Sequence, residues 1–181
     1  MTYPYPKVIL IGPDCGGKST LAKHLREYYN VGGAGNRRVE GDLQAVREVL
    51  RFALDEIPNS RFILDQWQYP VDIVYRHAIE DDESPVSVLD KMLVPYLKEQ
   101  KVLFIHVTAS PQELLRRFSI RGDELWTGPQ IVAVAEDYHT YLKCYAMFDY
   151  VTIDTTGRHP KEVLKEAVYQ ISKYYKGADE E

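Results

Sequence analysis

Nine residues, Gly12-Pro13-Asp14-Cys15-Gly16-Gly17-Lys18-Ser19-Thr20, constrain this chain more than any others. They read G-x-x-x-x-G-K-[ST], the pattern of a loop that cradles phosphate. Lys7-Val8-Ile9-Leu10-Ile11 precedes them, an apolar, β-branched run that reads as a buried strand. Leu21 to Tyr29 follows, with Leu21, Leu25 and Tyr28/Tyr29 at helical spacing. Strand, glycine loop, helix is the context the pattern requires. Gly12, Gly16 and Gly17 carry no Cβ, so the backbone can wrap closely round a phosphate and adopt positive φ. The loop amides, Cys15 and Thr20 included, then point at phosphate oxygens at the positive end of the helix. Lys18 is expected to reach the β- and γ-phosphates and Ser19 to bind Mg²⁺.

At 181 residues the chain fits one domain, residues 1–181, with room for a proper core. A net charge of −5 argues against a protein that coats nucleic acid, although a local basic cleft is compatible with it. Two cysteines, Cys15 and Cys144, are too few for a disulfide framework and fit a reducing cytosol, so a cytoplasmic location is expected. No apolar run of 18 residues points to a membrane. Cys15 lies inside the phosphate loop, where phosphoryl transfer needs no nucleophile.

Along the chain, 37–40 reads as a second strand, and Asp42 as the N-cap of a helix whose buried face includes Leu43, Val46, Val49, Leu50, Phe52-Ala53-Leu54 and Ile57. Residues 61–65 form the next strand, which closes on Asp65, and 71–79 and 85–97 read as helices. Residues 101–107 are the most apolar strand, followed by a helix from Ser110-Pro111 to about Ile120. A long helix from about Pro129 to Met147, a last strand over 149–154 and a closing helix over 160–176 complete the pattern. Strands alternating with helices predict an α/β fold, a parallel sheet flanked on both faces.

The segment Leu115-Arg116-Arg117-Phe118-Ser119-Ile120-Arg121-Gly122-Asp123 puts three arginines beside a glycine hinge. Arg117 and Arg121 are four apart and share a helix face. With a phosphate loop in the same chain, the segment reads as a lid, spanning about 116–128, that stabilises charge on a transferring phosphoryl group. No N-K-x-D guanine-recognition motif is present.

These features resemble the thymidylate kinase family of nucleoside monophosphate kinases. The loop Gly12-Pro13-Asp14-x-x-Gly17-Lys18-Ser19-Thr20-Leu21 matches that family's form, internal carboxylate included. The lid Leu115-x-Arg117-x-x-x-Arg121-Gly122-Asp123, Tyr138-x-x-Tyr141-Leu142 and Val151-x-Ile153-Asp154 continue the match. The resemblance implies a P-loop three-layer sandwich with a five-stranded parallel sheet of order 2-3-1-4-5, ATP as donor, Mg²⁺ as cofactor, and a homodimer. It implies that Asp14 contacts an acceptor sugar hydroxyl, and that Asp65 lies near Mg²⁺ and the reacting phosphates. It also assigns Arg117 and Arg121 to the lid, Thr155 to Arg158 to the adenine loop, and Arg47 or Arg51 to the acceptor base.

One position departs. The family has arginine after the strand-end aspartate, where it binds the acceptor's phosphate. Here Asp65 is followed by Gln66-Trp67, and glutamine offers neither charge nor a guanidinium fork. Either Arg37, Arg38 or Arg51 substitutes, or the acceptor has no monophosphate there. The sequence therefore supports three readings: a kinase of dTMP or a related free deoxynucleotide, a kinase of 5-hydroxymethyluracil within DNA as in some phage relatives, or a non-catalytic nucleotide-binding module. Trp67, Tyr69, Tyr75 and Trp126 are expected either to stack on an acceptor base or to pack in the core.

Overall fold

The computed structural model describes residues 6–32, 41–80, 84–122 and 126–177. Among the described residues four strands form one sheet: β1 (Lys7–Ile11), β2 (Phe62–Asp65), β3 (Leu103–Thr108) and β4 (Tyr150–Asp154). All pairings are parallel and the order is β2-β1-β3-β4. This corrects the expected five-stranded sheet and its 2-3-1-4-5 order: β2 is the segment expected as strand three, and the strand expected at 37–40 lies outside the described residues.

Alternation along the strands decides which helices cover which face. Val8 and Leu10 face one side with Ile63, Ile105 and Val107, and pack under α1 (Lys18–Tyr29) and α7 (Pro160–Gly177) through Leu21, Leu25, Ala167 and Ile171. Ile9 and Ile11 face the other side with Leu64 and Phe104. That side is covered by α2 (Asp42–Arg51), α3 (Gln68–Tyr75), α4 (Asp90–Glu99) and α6 (Gly128–Cys144). A shorter cluster of Ala109, Leu114 and Ile131 seats α5 (Pro111–Arg121) beside α6. No described helix is long and apolar enough to cross a membrane.

Helix α2 differs from expectation at both ends. Gly41 rather than Asp42 is its N-cap, with φ 88°, and Asp42 begins the helix. The helix widens into a π-turn over Phe52–Glu56. Ala45, Val49, Phe52, Ala53 and Ile57 are buried, whereas Leu43 and Leu54, which a 3.6-residue period places opposite Ala45, are 64% and 63% exposed. The expected helix over 85–97 is a 3₁₀ turn, Pro85–Leu89, leading into α4, and α6 ends at Cys144 rather than Met147.

Parallel pairing brings every strand's carboxyl end to one edge. Leu10 pairs with Asp65, Ile11 with His106, and Thr108 with Asp154. β1 has β2 on one side and β3 on the other, so the chain crosses the sheet in opposite directions from it. That switch point is where α/β sheets open a crevice for ligands.

Candidate phosphoryl-transfer site

The loop after β1 is held down before it holds anything else. A Cβ at Gly12 would lie 2.2 Å from the Val107 carbonyl oxygen, and one at Gly16 2.7 Å from the same atom. Those two glycines are therefore required by the close approach of the loop to the end of β3, in addition to the phosphate-wrapping role read from sequence. Gly17 is different: the nearest atom to its Cβ position is 3.7 Å away, and its φ of 102° is what excludes other residues. It caps α1, leaving the first helical amides directed out of the loop.

Lys18 is the first residue of α1 and is 5% exposed. Its Nζ donates to the carbonyls of Gly12, at 2.8 Å, and Pro13, at 2.7 Å. Asp14 Oδ1 lies 3.8 Å from the same ammonium. Burial pushes the Lys18 pKa down, and the carboxylates of Asp14 and Asp65 oppose that push. Asp65, from the end of β2, is thus electrostatically part of the site.

A cavity of about 610 Å³ opens over the loop. Asp14, Cys15, Gly17, Lys18, Ser19 and Thr20 form its floor, and Gln66 stands at one border. Arg116, Arg117 and Arg121 of α5 and Arg158 from the loop after β4 enter its walls. Leu21, Pro160 and Val163, with His24, give it an end less charged than the arginine wall. The cationic wall, the lysine and the helix N-terminus together make a site for a polyphosphate.

The arginines divide the work. Arg117 Nε donates to Glu113 Oε1 at 2.7 Å. Its Nη1 donates to the Cys15 carbonyl at 3.1 Å and to Thr155 Oγ1 at 2.8 Å, and its Nη2 to the Thr155 carbonyl at 2.9 Å. Thr155 Oγ1 in turn donates to the Gly16 carbonyl, 2.9 Å away. Arg117 is therefore a clamp that ties the phosphate loop to α5 and to the loop after β4, rather than a swinging lid residue. Arg116 shares Glu113 with it, and these two guanidiniums hold the Glu113 carboxyl down to about 2. Arg121 is exposed and reaches Cys15, whose thiol is raised by burial and lowered in opposition by that guanidinium. Arg158 donates to the Asp154 carbonyl at 2.9 Å and to Glu166 Oε2 at 2.5 Å, which fixes it at the cavity wall.

The expected acceptor-side residues fare differently. Gln66 keeps its place beside the cavity with φ 74°, a left-handed conformation rare for a side chain of its kind, and its N–H donates to the Leu10 carbonyl at 3.1 Å. Trp67 and Tyr69 turn into the core instead. Trp67 packs on Phe52 and Tyr69 at 5.3 Å, and the Tyr69 hydroxyl donates to Asp90 at 2.7 Å. Arg51 is spent on Glu48 and Glu56, and neither it nor the exposed Arg47 lines the cavity. Arg37, Arg38 and part of the expected 116–128 lid lie outside the described residues.

Sequence reasoning missed Glu113, Thr155 as a bonded partner, and His24. The i, i+3 and i+4 spacing of Glu113 with Arg116 and Arg117 was the available signal. Nothing local announced the other two.

No family model matches the chain. It is 25% identical over 172 residues to the SPβ prophage-derived uncharacterized protein YorR of Bacillus subtilis, covering 91% of this chain and 98% of that one. The crystal structure of YorR in complex with phosphorylated GDP superposes with a TM-score of 0.71 at 21% identity, over 91% of this chain and 95% of YorR. Deoxyadenosine kinase from M. mycoides with bound dATP gives 0.66 at 12% identity, over 91% and 98%. A gluconokinase from Sinorhizobium meliloti gives 0.65 at 10%, over 98% and 97%. The fold is that of a P-loop kinase.

Proposed function

We propose that this chain transfers the γ-phosphate of ATP to a nucleoside or nucleotide acceptor. The carrying observation is the convergence of buried Lys18, the arginine wall and the Asp14 carboxylate on one cavity, with Asp65 acting on the same lysine. On donor binding, Lys18 exchanges the carbonyls of Gly12 and Pro13 for β- and γ-phosphate oxygens. Arg121 and Arg116 face the same phosphates, while Arg117 fixes the loop that receives them. Asp14 or Asp65 orients the attacking hydroxyl and takes its proton. Rate enhancement on such a frame comes from positioning and charge neutralisation.

The residues present fit Mg²⁺. Ser19 is exposed in the cavity lining and Asp65 acts electrostatically on Lys18, so one hydroxyl and one carboxylate oxygen are offered at the site. That is the sparse protein ligation Mg²⁺ takes when phosphates complete its shell. Bound there, the ion would supply charge neutralisation between the phosphates.

Resemblance points to a pyrimidine deoxynucleotide, dTMP or a related dNMP, as acceptor. Gln66 favours a second reading. Arg51 does not reach the cavity to replace the family's arginine, and Arg37 and Arg38 lie outside the described residues. On this reading no arginine substitutes, and the acceptor hydroxyl has no phosphate beside it. That describes a free deoxynucleoside, or the 5-hydroxymethyl group of uracil within DNA. The names of two neighbours, a deoxyadenosine kinase and a gluconokinase, support an acceptor without phosphate. Incubation with γ-labelled ATP and dTMP, other nucleoside monophosphates, nucleosides, or hydroxymethyluracil DNA tests all of these. Label on a monophosphate supports the first reading, and label on nucleoside or DNA the second. Label on none of them contradicts the proposal and leaves a nucleotide-binding module.

A further inference from the structure

The Asp14 backbone N–H donates to the hydroxyl of Tyr75, 3.2 Å away across 61 residues of sequence. Elsewhere the loop bonds to itself and to the clamp: Gly16 N–H donates to the Pro13 carbonyl at 3.2 Å, and the Cys15 carbonyl accepts from Arg117. The Tyr75 bond therefore reaches the one loop residue that brings a carboxylate to the cavity.

The anchor stands on a built wall. Tyr75 is nearly buried, with its ring 5.8 Å from Trp126 and edge-on to Tyr138 at 6.3 Å. Tyr138 is fully buried and stacks on His106 of β3 at 5.6 Å and 29°. The His106 ring comes within 3.4 Å of where a Gly12 Cβ would be. His106 Nε2 has no hydrogen-bond partner among the described residues, and the ring contacts hold the wall largely by packing. A row of rings from α3, α6 and β3 thus runs under loop residues 12–14.

We infer that Tyr75 is a positioning residue whose hydroxyl sets the Asp14 carboxylate for the acceptor and couples α3 to the donor loop. The inference rests on the reading above, in which Asp14 meets the acceptor. Helix α3 directly follows Asp65-Gln66-Trp67, so an acceptor that settles at Gln66 bears on the same element that holds Asp14. On that reading the donor phosphates are served by Lys18 and the arginines.

Tyr75→Phe removes the hydroxyl and keeps the ring of the wall. The expected result is a fall in acceptor kcat/KM of roughly 2- to 13-fold, the worth of one neutral hydrogen bond, with Kd for ADP within twofold of wild type. In an Asp14→Asn background the same change should add nothing further, because both act through one carboxylate. An unchanged acceptor kcat/KM, an equal loss of ADP affinity, or full additivity with Asp14→Asn would overturn the inference. Amide hydrogen exchange at Asp14 in the full chain gives a readout independent of turnover. Faster exchange in Tyr75→Phe is expected, and unchanged exchange overturns the anchor. If the wild type phosphorylates no acceptor, the proposed function fails while the exchange measurement still decides the anchor.

Discussion

The donor and acceptor halves of the cavity are built by opposite means. On the donor side, backbone does the work: the loop lies on the Val107 carbonyl, Lys18 holds loop carbonyls, and Arg117 and Thr155 bind the Cys15 and Gly16 carbonyls. On the acceptor side, side chains that looked available turn away, with Trp67 and Tyr69 in the core and Arg51 on neighbouring glutamates. A site made from backbone needs fixed residue types at fixed spacing, so it shows in a sequence. A site made from side chains depends on which way helices roll, and the same residues serve core or ligand equally well.

The contrast can be broken from the acceptor side first. If Trp67 belongs to the core, Trp67→Ala should cost about 3–5 kcal/mol of stability by cavity formation, read from denaturant midpoints. A ligand-stacking Trp67 would instead leave stability near wild type and lose activity. Next in size is pH. His106 is buried under the loop and stays neutral, its pKa lowered to about 4 by burial first and by Lys18 and His139 next. The unfolded chain protonates this histidine below about 6.5. Its contribution, on the order of 3 kcal/mol, is therefore present above pH 6.5 and lost as pH falls towards 4. Urea titrations across that range should show the decline, and His106→Asn should flatten it.

On the donor side, Arg117→Lys keeps the charge and loses the fork that spans Glu113, Cys15 and Thr155. Affinity for ATP should fall by roughly 10- to 100-fold, measured calorimetrically, because the clamp is geometric. Full retention would restore Arg117 to a simple lid charge. The smallest effect separates the halves again. Arg51→Ala removes exposed ion pairs only, and should change stability by less than about 0.5 kcal/mol and acceptor KM by less than twofold.

Much of the architecture was legible because periodicity reports burial. β1, β3, α1 and α7 follow their apolar patterns closely. Helix α2 departs from the expected buried face at Leu43 and Leu54, which stand opposite its apolar stripe at helical spacing, and its widening into a π-turn at Phe52–Glu56 has no local signal. In the site, Lys18, Ser19, Asp14, Arg117, Arg121 and Arg158 all meet at the predicted cavity. What sequence left out was direction: Arg117 binds protein carbonyls, and Tyr75 reaches back to Asp14. Both are contacts between elements far apart in the chain, and local spacing carries no trace of them.

The central claim is that Lys18, buried in a pre-formed loop, serves phosphoryl transfer. Its direct test is label transfer from γ-labelled ATP by wild type and Lys18→Ala, with the preferred acceptor of the panel and thermal unfolding measured alongside. Turnover should fall by about a thousandfold or more while cooperative unfolding persists. Near wild-type turnover in a folded Lys18→Ala protein would contradict the account.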